Sequence, residues 1–489
     1  MAERIAPVRA SAIRYRLSWL LLLALIASQA LTLMACGNDS NSPSRAPVPA
    51  SSPQPSPALS PTPPPSPAPT PTATPTPTPV TFPQACSGQS LVAIDPVRNV
   101  GYVAIYQLDA SGNAQLAIVD LTVGAVNPVL GTISLTGSVQ PVSEVYNPQG
   151  PSILAEARDG ANQVHIYEID PATQSVVNSI LATGLSHTGM SGGIVEDFVN
   201  NQAIVAGTSD LGILDTSTSP PTWNPASILD LSADEVTIDS MALDSFTGLL
   251  FISNLGNNFV VDTGNPPLTP IVFQIDPNES FSNGVAFDVG TDILFQSQMN
   301  ESDSSYAFNF GKVNLVASPA FASNVYIGGL GFLDPVGQGP GGLAIVNCAT
   351  HQGLIADQFG QNFKLIHLPR SPVKGGLDNN GQPGTKTVPN GSSAYTIAAS
   401  VIPMGDVGGV PTQLGVVDDP SSLAIDPARN LAYMLADTDP APHPWTPGAG
   451  TPLFLIRVDL SRPVFGASPI GGVDGKTFWN PASAAIPMP

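Results

Sequence analysis

The sequence predicts an all-β chain closed into a β-propeller, most regularly one of seven four-stranded blades. Three observations carry this. First, a strand-turn-strand unit recurs at both ends of the folded region, as Leu91-Val-Ala-Ile-Asp95-Pro-Val-Arg-Asn-Val-Gly-Tyr-Val-Ala-Ile105 and as Leu423-Ala-Ile-Asp426-Pro-Ala-Arg-Asn-Leu-Ala-Tyr-Met-Leu435. Second, weaker copies between them end their first strand at Asn147, Asp197, Asp244, Asp288 and Asn347, so successive marks lie 52, 50, 47, 44, 59 and 79 residues apart. A period of about 40–50 residues with about four short strands per unit is the pattern of a propeller, which stacks its units into one closed body. Third, the chain has 45 Gly, 52 Pro and no long helical period, and only 11% of it is charged, where about 25% is usual. Six or eight blades fit the same marks less regularly, because the fourth strands are weakly patterned.

Each unit opens with an apolar strand of four to six residues, such as Leu91–Ile94 or Val285–Phe287. An Asp or Asn closes it and bonds the backbone two residues on, starting a turn. The second strands are predicted at Gly101–Ile105, Ile153–Glu156, Ala203–Ala206, Leu249–Ser253, Ile293–Gln296, Gly353–Ala356 and Leu431–Leu435. The third strands follow at Leu116–Asp120, Val164–Asp170, Gly212–Asp215, Phe259–Asp262, Tyr306–Phe310, Phe363–His367 and Leu453–Asp459. Fourth strands are placed at Gly131–Leu135, Val177–Ala182, Ala226–Leu231, Ile271–Ile275, Val325–Gly328 and Tyr395–Ile402. Trp223-Asn-Pro-Ala-Ser227 recurs as Trp479-Asn-Pro-Ala-Ser483, each just ahead of a fourth strand. The long last interval is assigned to a Gly/Pro/Asn-rich loop at 371–394, inserted in the sixth blade.

Ahead of the propeller, assigned to 85–489, the chain reads as an export signal (1–35) and a tether (36–84). Arg4, Arg9, Arg14 and Arg16 form a basic start, and Leu17 to Leu33 is almost wholly apolar. The segment ends Leu33-Met-Ala-Cys36-Gly37, which resembles the bacterial lipobox. That resemblance implies cleavage before Cys36, acylation of Cys36 and durable membrane attachment, since several chains hold where one is marginal. Gly37 stands where an Asp is associated with inner-membrane retention, so the expected address is the cell envelope, at the outer membrane if the organism has one. Residues 40–83 are dominated by Pro, Ser, Thr and Ala, a composition that cannot bury a core and extends as polyproline II. At about 3.1 Å per residue the tether reaches about 150 Å at most.

The net charge is −21, and removal of residues 1–35 leaves the remainder three charges more acidic. Such a surface repels nucleic-acid phosphates and suits cations or basic partners.

The units resemble the propellers of the NHL, YVTN and SMP-30/gluconolactonase-like group, most closely at Leu423–Tyr433 and next at Met241-Ala-Leu-Asp-Ser-Phe-Thr-Gly-Leu-Leu-Phe-Ile-Ser-Asn-Leu-Gly-Asn-Asn258. Those motifs specify blades, not chemistry. Propeller ligands sit at the mouth of the central channel, reached by counting back five residues from each mark. This gives Asp239 and Asn283 at equivalent entries of neighbouring blades, with Asp418 just out of register before the last. Ser282-Asn283-Gly284 resembles the Asn-Gly entry of SMP-30-like lactonases, and an acid with an amide oxygen suits Ca²⁺ or another divalent cation. That family also uses a Glu at the first blade, where this chain has Ser87-Gly-Gln-Ser90. His187 lies on an entry loop near the same mouth, and the Asp/Asn marks themselves are read as turn caps on the opposite side. Gly189-Met-Ser191-Gly-Gly193 fits the Gly-x-Ser-x-Gly pattern but lacks the strand-to-helix setting of a nucleophile elbow. Cys86 and Cys348 are a disulfide candidate, which an exported setting permits. The expected function is a monomeric, membrane-anchored binding or scaffolding module for an envelope protein, glycan or small ligand. The alternative is a divalent-cation-dependent lactonase or hydrolase.

Overall fold

In the computed structural model of the chain, the residues described are 87–122, 125, 127–187, 192–234, 236–253, 258–264, 268–273, 279–288, 293–300, 306–312, 325–330, 344–357, 362–367, 396–401, 403–417, 423–438, 452–460, 478–479 and 485–488. Cys36, Cys86, Asp418, the 371–394 insertion and the whole signal and tether lie outside them, as do the side chain of Asn283 and residues 188–191.

Among the described residues the first element is a two-residue strand, β1 (Ser87–Gly88), and one antiparallel sheet after another follows it. These are β2 (Val92–Asp95), β3 (Val100–Ile105), β4 (Ala114–Asp120) and β5 (Val129–Leu135); β6 (Gln140–Asn147), β7 (Ser152–Arg158), β8 (Gln163–Asp170) and β9 (Ser175–Ser186); and β10 (Gly193–Asp197), β11 (Gln202–Ala206), β12 (Asp210–Asp215) and β13 (Thr222–Asp230). There follow β14 (Ser240–Asp244), β15 (Leu249–Ser253), β16 (Asn258–Asp262) and β17 (Thr269–Phe273); β18 (Glu279–Asp288), β19 (Ile293–Asn300), β20 (Tyr306–Lys312) and β21 (Val325–Leu330); and β22 (Ala344–Asn347), β23 (Gln352–Asp357), β24 (Asn362–His367) and β25 (Thr396–Val401). A hairpin that the sequence did not predict, β26 (Met404–Val407) with β27 (Val410–Gln413), comes next. In the last sheet β28 (Gly415–Val416) and β29 (Leu423–Asp426) both pair with β30 (Leu431–Asp437), which pairs with β31 (Leu453–Asp459). Finally β32 (Phe478–Trp479) runs parallel to β25, and β33 (Ala485–Pro487) supplies the outer strand beside β31. Trp223 lies within β13, not ahead of the fourth strand as its repeat suggested.

These blade-like sheets form a ring, and burial follows strand position within each. The inner pairs β2–β3 and β10–β11 are buried at every residue, so both faces are covered. The outer strand β9 alternates exposed and half-buried residues, with Val177 57% exposed, as an edge with one wet face does. Cores fill the spaces between neighbours. Ile194, Val205 and Leu214 pack with Leu154, Val164 and Ile166 between the second and third sheets, and Ile204 and Leu211 pack with Leu243 and Leu250 between the third and fourth. Phe251 stacks on Phe287 at 4.7 Å between the fourth and fifth. Leu354 joins Met434 and Ile456 between β23 and the last sheet.

The ring closes where the ends of the chain meet. Tyr433, Leu435 and Leu455 share one core with Tyr102, Val103 and Ile118. The Tyr106 hydroxyl donates to Asp437 Oδ2 at 2.9 Å, Arg429 Nη2 to the Pro96 carbonyl at 2.8 Å, and Arg457 Nη1 to the Leu121 carbonyl at 3.2 Å.

The Asp/Asn marks are turn caps. Asp95 Oδ1 accepts the amides of Val97 (2.9 Å) and Arg98 (3.1 Å), and Asn147 Oδ1 accepts those of Gln149 (2.9 Å) and Gly150 (3.3 Å). Asp244 accepts Phe246 N at 3.0 Å, Asn347 accepts Ala349 N at 3.0 Å and Asp426 accepts Arg429 N at 3.1 Å. Four residues past the mark the backbone turns left-handed, at Asn99 (φ 57°), Asn201 (52°), Gly248 (69°), His351 (55°) and Asn430 (55°). Asn and Gly tolerate that conformation best, which is why the turns read Asp-Pro-x-Arg-Asn or end in Gly.

Candidate functional site

With the marks on one side, the inner strands begin on the other, and the polar groups of interest gather there. Asp239 immediately precedes β14. Its amide donates to the Ser253 carbonyl at 3.1 Å, holding the residue against the end of β15. Its Oδ2 is sealed from solvent and has no hydrogen-bond partner. Burial therefore pushes the carboxyl up to about 7, since nothing nearby compensates the charged form. Asn283 lies inside β18 and not ahead of it as expected, because that strand starts at Glu279; the β18–β19 register shifts there between Ser282 and Gly284.

Sequence reasoning missed what lies over Asp239. β1 runs antiparallel to the inner edge of β14, with Ser87 opposite Leu243 and Gly88 opposite Ala242. The chain thus passes up the channel before turning into β2. Gln89, 6% exposed, donates from Nε2 to the Asp239 carbonyl at 3.5 Å. Its side chain lies so close to Gly193 that a Cβ there would stand 2.7 Å from Gln89 Cδ. The Ser90 carbonyl accepts the Glu144 amide at 2.6 Å, and the Ser90 amide donates to Ser143 Oγ at 3.2 Å. Residues 87–90 therefore lie against the channel-facing parts of β6, β10 and β14. No hydrophobic run marks this segment, so it carried no strand signal.

His187 is fully buried just after β9. Its Nε2 lies 2.6 Å from Glu156 Oε1 on β7, while its Nδ1 and Glu156 Oε2 have no partner. Desolvation raises the Glu156 carboxyl, and the bond to His187 opposes that rise. Asp210, opening β12, is pushed up to about 6, first by desolvation. Two glycines make the room. A Cβ on Gly192 (φ 101°) would stand 2.2 Å from His187 Cε1, and one on Gly207 would stand 1.9 Å from Asp210 Oδ1. β10 starts at Gly193, so a strand follows the Gly-x-Ser-x-Gly stretch.

Glu144 on β6 and Glu196 on β10 are two further buried acids, at 1% and 3% exposure. Desolvation lifts Glu196 well above the usual range, against a bond from Thr216 Oγ1 at 3.3 Å. Their signal was legible as acids within short strand-like runs, Pro141-Val-Ser-Glu-Val145 and Gly193-Ile-Val-Glu-Asp197. Both line a cavity of about 160 Å³ between the inner strands toward the turn side, together with Val145, Val346, Cys348 and Ala424.

Ca²⁺ takes six to eight oxygen ligands. Asp239 offers one orphan oxygen, and among the described residues no three His, Cys, Asp or Glu side chains gather to hold a metal ion. Cys348, in the turn after β22, is disulfide-bonded.

No protein-family model and no curated protein matches the chain. It is similar in structure to the hydrazine synthase of Kuenenia stuttgartiensis, at 13% identity and a TM-score of 0.47, over 73% of this chain and 96% of that one. It is also similar to the periplasmic gluconolactonase of Pseudomonas aeruginosa, at 10% identity and a TM-score of 0.38, over 60% of this chain and 83% of that one.

Proposed function

We propose that this chain is a lipid-anchored propeller of the bacterial cell envelope, built of seven blades, that acts as a binding or scaffolding module. The count of seven is supported by the order in which the first strands neighbour one another: β2, β6, β10, β14, β18, β22, β29 and again β2. The observation that carries the functional reading is the packing of residues 87–90 against the channel-facing parts of three inner strands. Gln89 and Ser90 occupy the entry side, where a propeller hydrolase would receive its substrate, and bond to the groups that would line it. What remains for partners is the outer surface, acidic and carried on a long stalk, which suits a basic protein or a glycan of the envelope and repels nucleic acid.

Anchoring rests on the lipobox at Cys36. In cells fed a labelled fatty acid, the chain takes up label and is cleaved, whereas Cys36→Ser leaves an unlabelled, uncleaved precursor. Continued labelling of that variant sinks the anchor. The functional reading is tested by affinity capture from the envelope with the full chain. Recovery of one partner that a variant with reversed surface charge loses is the expected result.

A second reading is favoured by one atom. Asp239 Oδ2, buried and unpartnered, is suited to a divalent cation shared with Asn283 and Asp418, as in a cation-dependent lactonase. A thermal shift with Ca²⁺ that vanishes in Asp239→Asn supports that reading over the first.

A further inference from the structure

The first strands of five sheets surround the cavity of about 160 Å³ described above, with Val92 of β2, Val145 of β6, Glu196 of β10, Val346 of β22 and Ala424 of β29 in its wall. Pro96, Pro148, Phe198 and Pro427, each the residue after a mark, line it as well, so it reaches the turn face. An apolar cavity of about 150 Å³ holds a molecule the size of benzene. The wall here is mostly apolar, and the charged side chains described in it are all acidic: Glu144, Glu196 and Asp426. Asp426 is engaged by Arg429, whose Nη1 donates to its Oδ2 at 2.6 Å. Glu144 and Glu196 are buried on neighbouring inner strands. Glu196 accepts from Thr216 Oγ1 at 3.3 Å, yet desolvation still lifts its carboxyl well above the usual range. A positive charge beside it favours the carboxylate.

Three ligand classes fit this wall poorly. An anion is repelled by the acids. Ca²⁺ takes six to eight oxygens, and among the described residues no three His, Cys, Asp or Glu side chains gather to hold a metal ion. A wholly apolar molecule suits the wall but sets hydrocarbon beside two buried acids, which costs free energy.

We propose that the cavity binds a small organic cation, a primary ammonium on a short apolar body, with the charge toward Glu144 and Glu196 and the body against Val145, Val346 and Ala424. A free amine and the lysine side chain of a peptide share that chemistry. The site rests on the binding-module reading and names the chemistry that one surface of the module takes. Affinity capture from the envelope tests that reading separately, so either claim can fail alone.

The test is titration calorimetry on the full chain with benzylammonium, benzyl alcohol and benzoate, which share a ring and differ in charge. Benzylammonium is expected to bind with a Kd of about 1 mM or tighter, and at least about tenfold tighter than benzyl alcohol, as a charge-assisted bond in an apolar site gives. Benzoate is expected not to bind. Glu144→Gln and Glu196→Gln keep the shape, and each is expected to shrink that preference at least about fivefold while leaving the alcohol within about twofold. Val346→Phe fills the cavity and is expected to abolish binding of both. Equal affinity for amine and alcohol, or no binding of either, overturns the proposal, and this comparison in the unaltered chain stands even where a variant fails to fold. Amine binding that survives Val346→Phe and both glutamate variants also overturns it, because that binding belongs to the acidic surface. A blocked Gly-Lys-Gly peptide separates the two sources. Tighter binding than benzylammonium supports the site with a protein side chain as its ligand, and weaker binding supports it with a free amine.

Discussion

Asp239 is the residue on which the two functional readings divide, and its chemistry gives the first prediction. Its carboxyl is raised from an ordinary value near 3.9 to about 7. A raised carboxyl favours the protonated form in the folded state, so its contribution is present below about pH 4 and is lost as pH rises through about 7. Asp210, at about 6, has the same sign. The thermal midpoint is therefore expected to fall between pH 5 and pH 8, and Asp239→Asn to flatten that fall and stabilise the chain at pH 8 by about 1–2 kcal/mol. An unchanged pH profile in the variant contradicts the assignment. Glu156 and His187 give a second test. Glu156→Gln keeps a partner for His187 Nε2 without a buried charge and is expected to cost little. Glu156→Ala strands the imidazole and is expected to cost about 3 kcal/mol in chemical denaturation. Asp239 was visible as a candidate from register alone, whereas Glu156 and Asp210 were not, because nothing local in the sequence says which strands their neighbours lie on.

At the scale of the element, the turn after each inner strand is where sequence and structure agree most closely. The mark caps turn amides and the residue four on turns left-handed, both short-range requirements that leave letters in place: Asp-Pro-x-Arg-Asn at 95–99 and 426–430. Asn201 isolates the backbone part. Asn201→Gly is expected to change stability by less than about 0.5 kcal/mol and Asn201→Val to cost about 2 kcal/mol, since a β-branched residue resists φ near 52°. Equal effects of the two contradict the turn. Second and third strands were legible to within about two residues, because each has an apolar centre, except β19, which runs four residues past its expected end to Asn300. The outer strands blurred because they alternate: β13 starts at Thr222, four residues ahead of its expected start, and carries a register shift between Leu211 and Ile213 against β12. β26–β27 is short, and Gly408-Gly409 was its only turn signal.

The whole molecule depends on contacts that no local pattern announces. Tyr106 and Asp437 are 331 residues apart and fully buried together, joining the first sheet to the last. Tyr106→Phe keeps the shape and removes that bond, with an expected cost of about 1–3 kcal/mol and a matching rise in unfolding rate. No loss of stability contradicts closure at this seam. The closed ring was readable from spacing, but the passage of 87–90 through it was not, because two paired residues carry no periodicity. That passage makes residues 87–90 part of the propeller's centre. The most direct measurement is the thermal midpoint of the full chain, first with EDTA and then with Ca²⁺ added back. A ligand that binds only the folded state raises apparent stability by mass action. The binding-module account, with residues 87–90 packed over Asp239, predicts a change below about 1 °C. A rise of several degrees with Ca²⁺, abolished by Asp239→Asn, contradicts it and makes the channel mouth a cation site.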